Sequence, residues 1–344
     1  MARAPELTDS EITAELGRYS RVAVTGGSGF VGRHLVSALA ARHRDVVALD
    51  VAPLPAPHPP HTRTRAVDLR DGRAVVAAVA DADLVIHLAG NASGTVSVDR
   101  PRFDFETNAV ATFNLCEALA RSGRARLVYL SSAMVYGIPK TCPLPETHAV
   151  APFLPYAASK LAGEHAVSAF CRTYGMAATI GRAFTLYGPG ENPRVAGGEV
   201  SQFLRCHLRG LPIDAAGDVD RKTRDFCHVE DLVQGLLLLA VRGGNGEVYN
   251  IGSGTETSLR ELADVIAAAT GSPTRLRSDG RVTEDTYRMV ADITRLRELG
   301  YRPRVALLDG VRDLAAALGE RPELPGVDTI FRSEQRLTAG PRRA

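Results

Sequence analysis

Tyr156 and Lys160 stand four residues apart in Tyr156-Ala-Ala-Ser-Lys160. On a helix that spacing puts a phenol and an ammonium on one face. A nearby cation favours the phenolate, the form that serves as a general base. Upstream, Ser131-Ser132 follows the strand-like run Leu127-Val-Tyr-Leu130, where a hydroxyl at a strand's carboxyl end can meet a substrate oxygen. A Tyr–Lys pair alone is also an ordinary feature of a solvated helix. Preceded by a serine and by a glycine loop, it is far more specific.

That loop lies in Val22-Ala-Val-Thr25-Gly26-Gly27-Ser28-Gly29-Phe30-Val31-Gly32. A β-branched run meets a glycine cluster, and Val31, Leu35, Val36 and Leu39 follow at helical spacing, which predicts strand, tight turn and helix. Glycines there let backbone amides approach a pyrophosphate at the positive end of the helix. The doubled Gly26-Gly27 fits both G-x-G-x-x-G and G-x-x-G-x-x-G, and a plain glycine turn is the bland alternative. Asp50 ends the next strand-like run, Val46–Asp50. A carboxylate at that place suits the adenosine ribose hydroxyls of NAD and repels the 2′-phosphate of NADP. In Val67-Asp68-Leu69-Arg70-Asp71, where a third strand should end, Asp68 and Leu69 would border the adenine, or Asp68 is a satisfied turn carboxylate.

These residues need elements to hold them. Strand patterns at 22–25, 46–50, 84–88, 127–130 and 177–180 alternate with helical patterns at 31–43, 72–80, 103–122 and 157–174. Such alternation predicts an α/β fold, a Rossmann-type doubly wound parallel sheet with ligands at the carboxyl ends of its strands. After about residue 181 the rhythm breaks: glycine and proline concentrate in 188–198, helices are expected at 229–241, 258–270 and 307–318, and Val248–Ile251 reads as a strand. The expected organisation is a helical extension over 1–20, where Thr8 and Glu11 form a capping box, and a cofactor-binding domain over 21–181, rejoined by 225–252. A smaller C-terminal α/β substrate lobe takes 182–224 and 253–326, and a flexible basic tail takes 327–344.

With 344 residues, 45% hydrophobic and 23% charged, the chain reads as an ordinary globular protein. A net charge of +2, carried by scattered Lys and Arg, gives no basis for a nucleic-acid partner. No apolar run of membrane-spanning length and no secretory h-region is visible. Five cysteines, an odd number without C-x-x-C, read as reduced thiols of a cytoplasmic protein, with no metal site.

From about Arg21 to about Leu318 the chain resembles the extended short-chain dehydrogenases/reductases, in particular their NAD-dependent nucleotide-sugar epimerase/dehydratase group. The resemblance rests on Thr25–Gly32, His87-Leu-Ala-Gly90, Asn108 in the run 107–115, Ser131-Ser-Ala-Met-Val-Tyr-Gly137 and Tyr156-x-x-x-Lys160. It continues through Arg182-Ala-Phe-Thr-Leu-Tyr-Gly-Pro-Gly190, Arg224-Asp-Phe-Cys-His-Val-Glu-Asp231 and Tyr249-Asn-Ile-Gly252. It implies that Ser132, Tyr156 and Lys160 are catalytic, with Asn108 a helix-kink residue supporting Lys160. Gly26, Gly29, Phe30, Val31, Gly32, Asp50, Asp68, Leu69, Leu88, Ala89 and Gly90 would hold NAD. Ser132, Ala133, Met134, Thr185, Arg224 and the weaker candidate Arg288 would face a nucleotide-diphosphate sugar. His87 and His228 lie inside these motifs but are expected to be structural.

The departures matter. Where the group's 4,6-dehydratases carry Asp-Glu after the catalytic hydroxyl, this chain has Ala133-Met134, neither of which transfers a proton. Thr185 replaces a common asparagine, and Ile213-Asp-Ala-Ala-Gly217 lacks an aromatic often found beside a pyrimidine base, so the base stays open. The expected reaction is NAD-dependent epimerisation, most naturally at C4 through a 4-keto sugar. The alternatives are an NAD(P)H-dependent 4-ketoreductase and a non-catalytic NAD-binding scaffold. The resemblance also implies a homodimer through a four-helix interface of 103–122 and 157–174, where Phe113, Leu115, Leu119, Leu161, Val167 and Phe170 exceed the needs of one buried face.

Overall fold

Val22, Ala23, Val24 and Thr25 are all buried, so this strand has no face for water and requires layers on both sides. The structure, a computed structural model, describes residues 8–42, 45–195, 198–278, 280 and 288–326; the expected tail over 327–344 lies outside them. Helix α1 (Asp9–Leu16) opens on the Thr8–Glu11 capping box. The chain then runs β1 (Val22–Thr25), α2 (Phe30–Ala40), β2 (Val46–Asp50), β3 (Thr62–Ala66), α3 (Gly72–Val79) and β4 (Leu84–His87). Short helices α4 (Gly94–Asp99) and α5 (Pro101–Phe105) precede a π-helical turn, Glu106–Val110, and α6 (Ala111–Ser122). Strand β5 (Arg126–Ser132), a 3₁₀ turn (Ala133–Tyr136), α7 (Pro155–Tyr174) and β6 (Ala178–Ala183) complete this half.

The second half holds β7 (Thr185–Tyr187), α8 (Glu199–Leu208), β8 (Ile213–Ala215), β9 (Thr223–Arg224), β10 (Phe226–His228) and α9 (Val229–Arg242). Then come β11 (Val248–Ile251), β12 (Thr257–Ser258), α10 (Leu259–Thr270), β13 (Leu276–Ser278), β14 (Arg288–Met289), α11 (Thr294–Glu298) and α12 (Leu307–Leu318). The main sheet has seven strands in the order β11-β6-β5-β4-β1-β2-β3, all parallel. This is the doubly wound Rossmann-type fold read from the sequence. The order reverses at β1 and β4, so the crevice at their carboxyl ends is the ligand position. One apolar layer, with Leu35, Leu39, Leu236 and Leu239, covers one face; another, with Val75, Leu115, Leu119 and Val167, covers the other. A third cluster, including Val200, Phe203, Leu262 and Leu314, lies in the C-terminal part.

Three expectations are corrected. The single helix over 103–122 is divided by the π turn at Glu106–Val110. One extra residue in the turn leaves the apolar period readable on both sides, so periodicity cannot show it. Helix α8 was hidden beside the glycine–proline stretch, although Val200, Phe203 and Leu204 bury at helical spacing. Of the apolar residues assigned to a dimer face, Leu115, Leu119, Val167 and Phe170 are buried within this chain's own layer. The exposed stripe there is Phe105, Val110 and Phe113.

Candidate active site

The glycine loop separates its glycines by function. Gly26 has φ +69, and a Cβ on it would lie 2.7 Å from the backbone nitrogen of Ala89. A Cβ on Gly32 would collide with the carbonyl oxygen of Gly26. Gly29 is the N-cap of α2 and offers no side chain to its first amides. The working spacing is therefore Gly26-x-x-Gly29-x-x-Gly32, and Gly27 serves close packing on Ala48. Bare amides at a helix N-terminus, in a cradle that any Cβ would fill, fit a pyrophosphate, and Phe30 and Val31 form that first turn. Asp50 ends β2 with its carboxylate accepting from the backbone N–H groups of Ser28 at 3.0 Å and Ala52 at 3.2 Å. The N–H groups of Leu88 and Ala89 both donate to Thr25 Oγ1 at 3.2 Å, so the loop after β4 is tied to the end of β1. At Gly90, φ +153, a Cβ would strike Asn108 Oδ1.

Asp68 is paired within its own turn. Its carboxylate is held by the Arg70 guanidinium, the closest approach being 2.6 Å, and by the Arg70 backbone N–H. Leu69 is buried.

Ser132 is the last residue of β5, and its Oγ accepts from the Met134 N–H at 3.2 Å, capping the 3₁₀ turn. Tyr156 and Lys160 share the first turns of α7, as their spacing predicts. Lys160 Nζ donates to the Leu130 carbonyl oxygen at 2.7 Å and lies 4.9 Å above the Tyr129 ring. The electrostatics reverse one expectation. Burial pushes the Tyr156 phenol up, the Ser132 hydroxyl acting against it and the Asp104 carboxylate adding to it. Burial also draws the Lys160 ammonium down to about 8, against the carboxylates of Glu164 and Asp104. Burial outweighs the expected lowering of the phenol, and desolvation dominates both groups.

Ser131 belongs to a different network. Its Oγ donates to Glu164 Oε1 at 2.5 Å, and Glu164 pairs with Arg182, which stacks on Tyr136. Asn108 Nδ2 reaches Ser159 Oγ and Asp104 Oδ1, each at 3.0 Å, so its link to Lys160 runs through Ser159. The buried Oδ1 of Asn108 has no partner. His87 bridges Thr25 and Thr112, with its imidazole driven down to about 3 by burial, and His228 caps α9; both are structural. Sequence reasoning missed Asn91, Asp104 and Ser159, which meet beneath Lys160; the one available signal is the i, i+4 spacing of Asp104 and Asn108.

On the substrate side, Ala133 is buried and Met134 half-buried against the sheet core. Thr185 opens β7. Arg224 pairs with Glu199 at 3.0 Å, and Arg288 pairs with Glu256 through two bonds at 2.7 and 2.8 Å. The strands β9 and β14 that carry these arginines are parallel neighbours, with Arg288 opposite Thr223. Among the described residues, no group of three His, Cys, Asp or Glu could hold a metal ion, and no helix is long and apolar enough to cross a membrane.

Known proteins share this arrangement of chain. The protein is 35% identical over 318 residues to UDP-glucose 4-epimerase of Mycolicibacterium smegmatis, covering 85% of this chain and 96% of that protein. It is 32% identical to a dTDP-glucose 4,6-dehydratase of an Actinoplanes species, covering 86% of this chain and 97% of the other. The crystal structure of UDP-glucose 4-epimerase from Thermus thermophilus, in complex with NAD, superposes with a TM-score of 0.77 at 34% identity, over 86% of this chain and 97% of that one. Residues 22–252 match the family described as NAD dependent epimerase/dehydratase, a span that holds the glycine loop, Ser132, Tyr156, Lys160 and Arg224. The chain belongs to that family, within the extended short-chain dehydrogenases/reductases.

Proposed function

We propose that the protein epimerises a nucleotide-diphosphate sugar at C4 through a transient 4-keto sugar, leaving its NAD unchanged after each cycle. One observation carries this reading. The Ser132 hydroxyl bonds to Tyr156, which shares the first turns of α7 with Lys160, while the turn after Ser132 presents Ala133 and Met134, which cannot run an elimination. UDP-glucose, named for two of the relatives, is the first substrate to test.

Bound NAD supplies the acceptor, and later the donor, of the C4 hydride. Gly26, Gly29 and the first turn of α2 would hold its pyrophosphate, Asp50 its adenosine ribose, and the loop 88–90 would line its site. Tyr156 takes the proton of the C4 hydroxyl and gives it back. Ser132 donates a hydrogen bond to the developing ketone oxygen. Lys160, one N–H committed to Leu130, has two left for a ribose and for offsetting phenolate charge. Arg224, with Arg288 beside it, receives the diphosphate by exchanging Glu199 and Glu256 for phosphate oxygens, a task suited to forked guanidinium donors. Segments 182–224 and 253–326 act as the substrate lobe, with 225–252 serving the cofactor domain. The enzyme works in the cytoplasm as a homodimer through the helices of 103–122 and 157–174.

The test is incubation of the purified protein with UDP-, dTDP-, GDP- and ADP-sugars without added cofactor, read by NMR. The reading expects a C4 epimer, NAD copurifying with the protein, and loss of turnover in Tyr156→Phe. Conversion only while NAD(P)H disappears would reject it in favour of a one-way ketoreductase.

A further inference from the structure

Asp104 has no part in the chemistry above, yet it is fully buried at 0% exposure. Its Oδ2 accepts from Ser159 Oγ at 2.7 Å, and its Oδ1 accepts from Asn91 Nδ2 at 2.7 Å and from Asn108 Nδ2 at 3.0 Å. Asn91 follows Gly90 in the loop after β4; Asn108 sits in the π turn; Ser159 immediately precedes Lys160 on α7. The loop after β4, the turn that follows α5 and the start of α7 thus close on one carboxylate. All its contacts are donors, and among the described residues no Lys or Arg bonds to it. A carboxylate buried without an ion pair is costly unless hydrogen bonds and a field of opposite sign compensate.

Lys160, the residue after the Ser159 that donates to Asp104, contributes a field of that sign. The groups around its ammonium are few. Glu164, one turn further along α7, is already paired with Arg182 of β6 and bonded by Ser131 of β5. Tyr129 of β5 lies beneath, its hydroxyl donating to the Lys160 carbonyl oxygen, and neutral His87 of β4 stacks on Tyr129. Tyr156 stands on the same helix. Asp104, from α5, is the second carboxylate acting on that ammonium, and among the described residues it has no ion pair of its own.

We propose that Asp104 is a positioning residue: it locks the Tyr156–Lys160 turn of α7 onto the loop beneath the cofactor and supplies the counter-charge to the Lys160 ammonium. The inference rests on the role given to Lys160 under the proposed function. Removing the negative charge makes the ammonium less favourable, so its proton leaves at lower pH.

The test uses the purified holoenzyme and two variants. Asp104→Asn keeps the shape and loses the charge; Ser159→Ala keeps the charge and loses one tie. NAD retained after desalting between pH 6 and 10, and kcat and KM across the same range, are the readouts. In D104N the midpoint of NAD loss should move down by about one pH unit, and kcat at pH 8.5 should fall about tenfold, with KM within about twofold. S159A should lower kcat several-fold with the midpoint unmoved. A wild-type midpoint in folded D104N, or wild-type kcat in S159A, overturns the proposal. NAD retention needs no turnover, so failure of the epimerase reading itself would show separately, as a wild-type protein inert on every sugar.

Discussion

Lys160 donates from Nζ to the backbone carbonyl oxygen of Leu130 at 2.7 Å, which fastens the ammonium to the strand that ends in Ser132. The cation is thus placed by the sheet rather than by Tyr156. Burial draws it down to about 8. A lysine is charged below its pKa, so the competent form is full in mildly acid solution and is lost as pH rises through that value. The Lys160 contribution, read as the ratio of wild-type to Lys160→Met kcat, should be level below about pH 7 and shrink above about pH 8. Lys160→Met, which fills the same space without charge, should lower kcat by about 10²–10³ with an unchanged circular dichroism spectrum. A wild-type to Lys160→Met ratio that stays constant up to pH 10 would contradict this assignment.

On the proposed function, Asp50 is the residue that would set the cofactor preference. Its carboxylate already receives two backbone N–H groups, from Ser28 and Ala52, so its orientation is fixed before any ligand arrives. Asp50→Asn removes the charge that repels a 2′-phosphate and keeps the shape. The ratio of NAD to NADP affinity, measured by calorimetry on stripped protein, should narrow by about tenfold or more. An unchanged ratio would place the ribose elsewhere.

Gly32 tests the cradle. A Cβ there meets the Gly26 carbonyl oxygen and the backbone of Gly27, neither of which can swing aside. Gly32→Ala should cost about 1–3 kcal/mol as an overpacked site and release the bound NAD. Thermal melting and absorbance of the desalted protein report both. Gly123→Ala is a useful contrast: nothing stands within 4 Å of its Cβ, but φ is +63, so only modest backbone strain and full NAD retention are expected.

What could be read in advance followed the range of the interactions. Helix α12 at 307–318 and strand β11 at 248–251 were legible to the residue, because apolar period and flanking glycines are local signals. That β11 pairs with β6, far earlier in the chain, is a non-local choice that its four residues do not encode. Ser132, Tyr156 and Lys160 were legible as a pattern, but the tyrosine's raised pKa was not. It comes from burial of the phenol in the folded chain, about which the spacing of Tyr156 and Lys160 says nothing. Arg224 was visible as a cation, whereas its pairing with Glu199 depends on α8, which glycine and proline concealed. The meeting of Asn91, Asp104 and Ser159 was hidden apart from the i, i+4 spacing of Asp104 and Asn108, since Asn91 and Ser159 come from other segments of the chain.

Phe113 tests the dimer. It is 49% exposed, with its ring edge-on to Phe170 at 5.3 Å, and Phe105 and Val110 lie exposed on the same stretch. An apolar stripe of this kind on helices is favourable only when covered. Phe113→Glu should convert a dimer to a monomer in analytical ultracentrifugation while barely changing the monomer's own packing. A wild-type protein that sediments as a monomer at micromolar concentration would remove the homodimer.

Glu191 lies in the loop between β7 and α8, with Oε1 accepting from the Gly188 N–H at 3.1 Å. Burial raises its carboxyl to about 8, the Gly188 N–H and then Arg205 acting against that rise. The sign follows from the two states. An unfolded glutamate releases its proton near 4.5, whereas the folded one keeps it to about 8. Stability from this group is therefore complete below pH 4.5 and is lost as pH climbs to about 8. Glu191→Gln carries no proton to lose. Its melting temperature should match wild type within about 1 °C at pH 5 and exceed it by roughly 3–6 °C at pH 8.5. An equal difference at both pH values would mean that the carboxyl is already charged in the fold. The same loop precedes Glu199, the partner of Arg224. If alkaline pH loosens it by ionising Glu191, KM for the sugar nucleotide should rise above about pH 8 in wild type and stay level in E191Q, which separates this group from Lys160 and its effect on kcat.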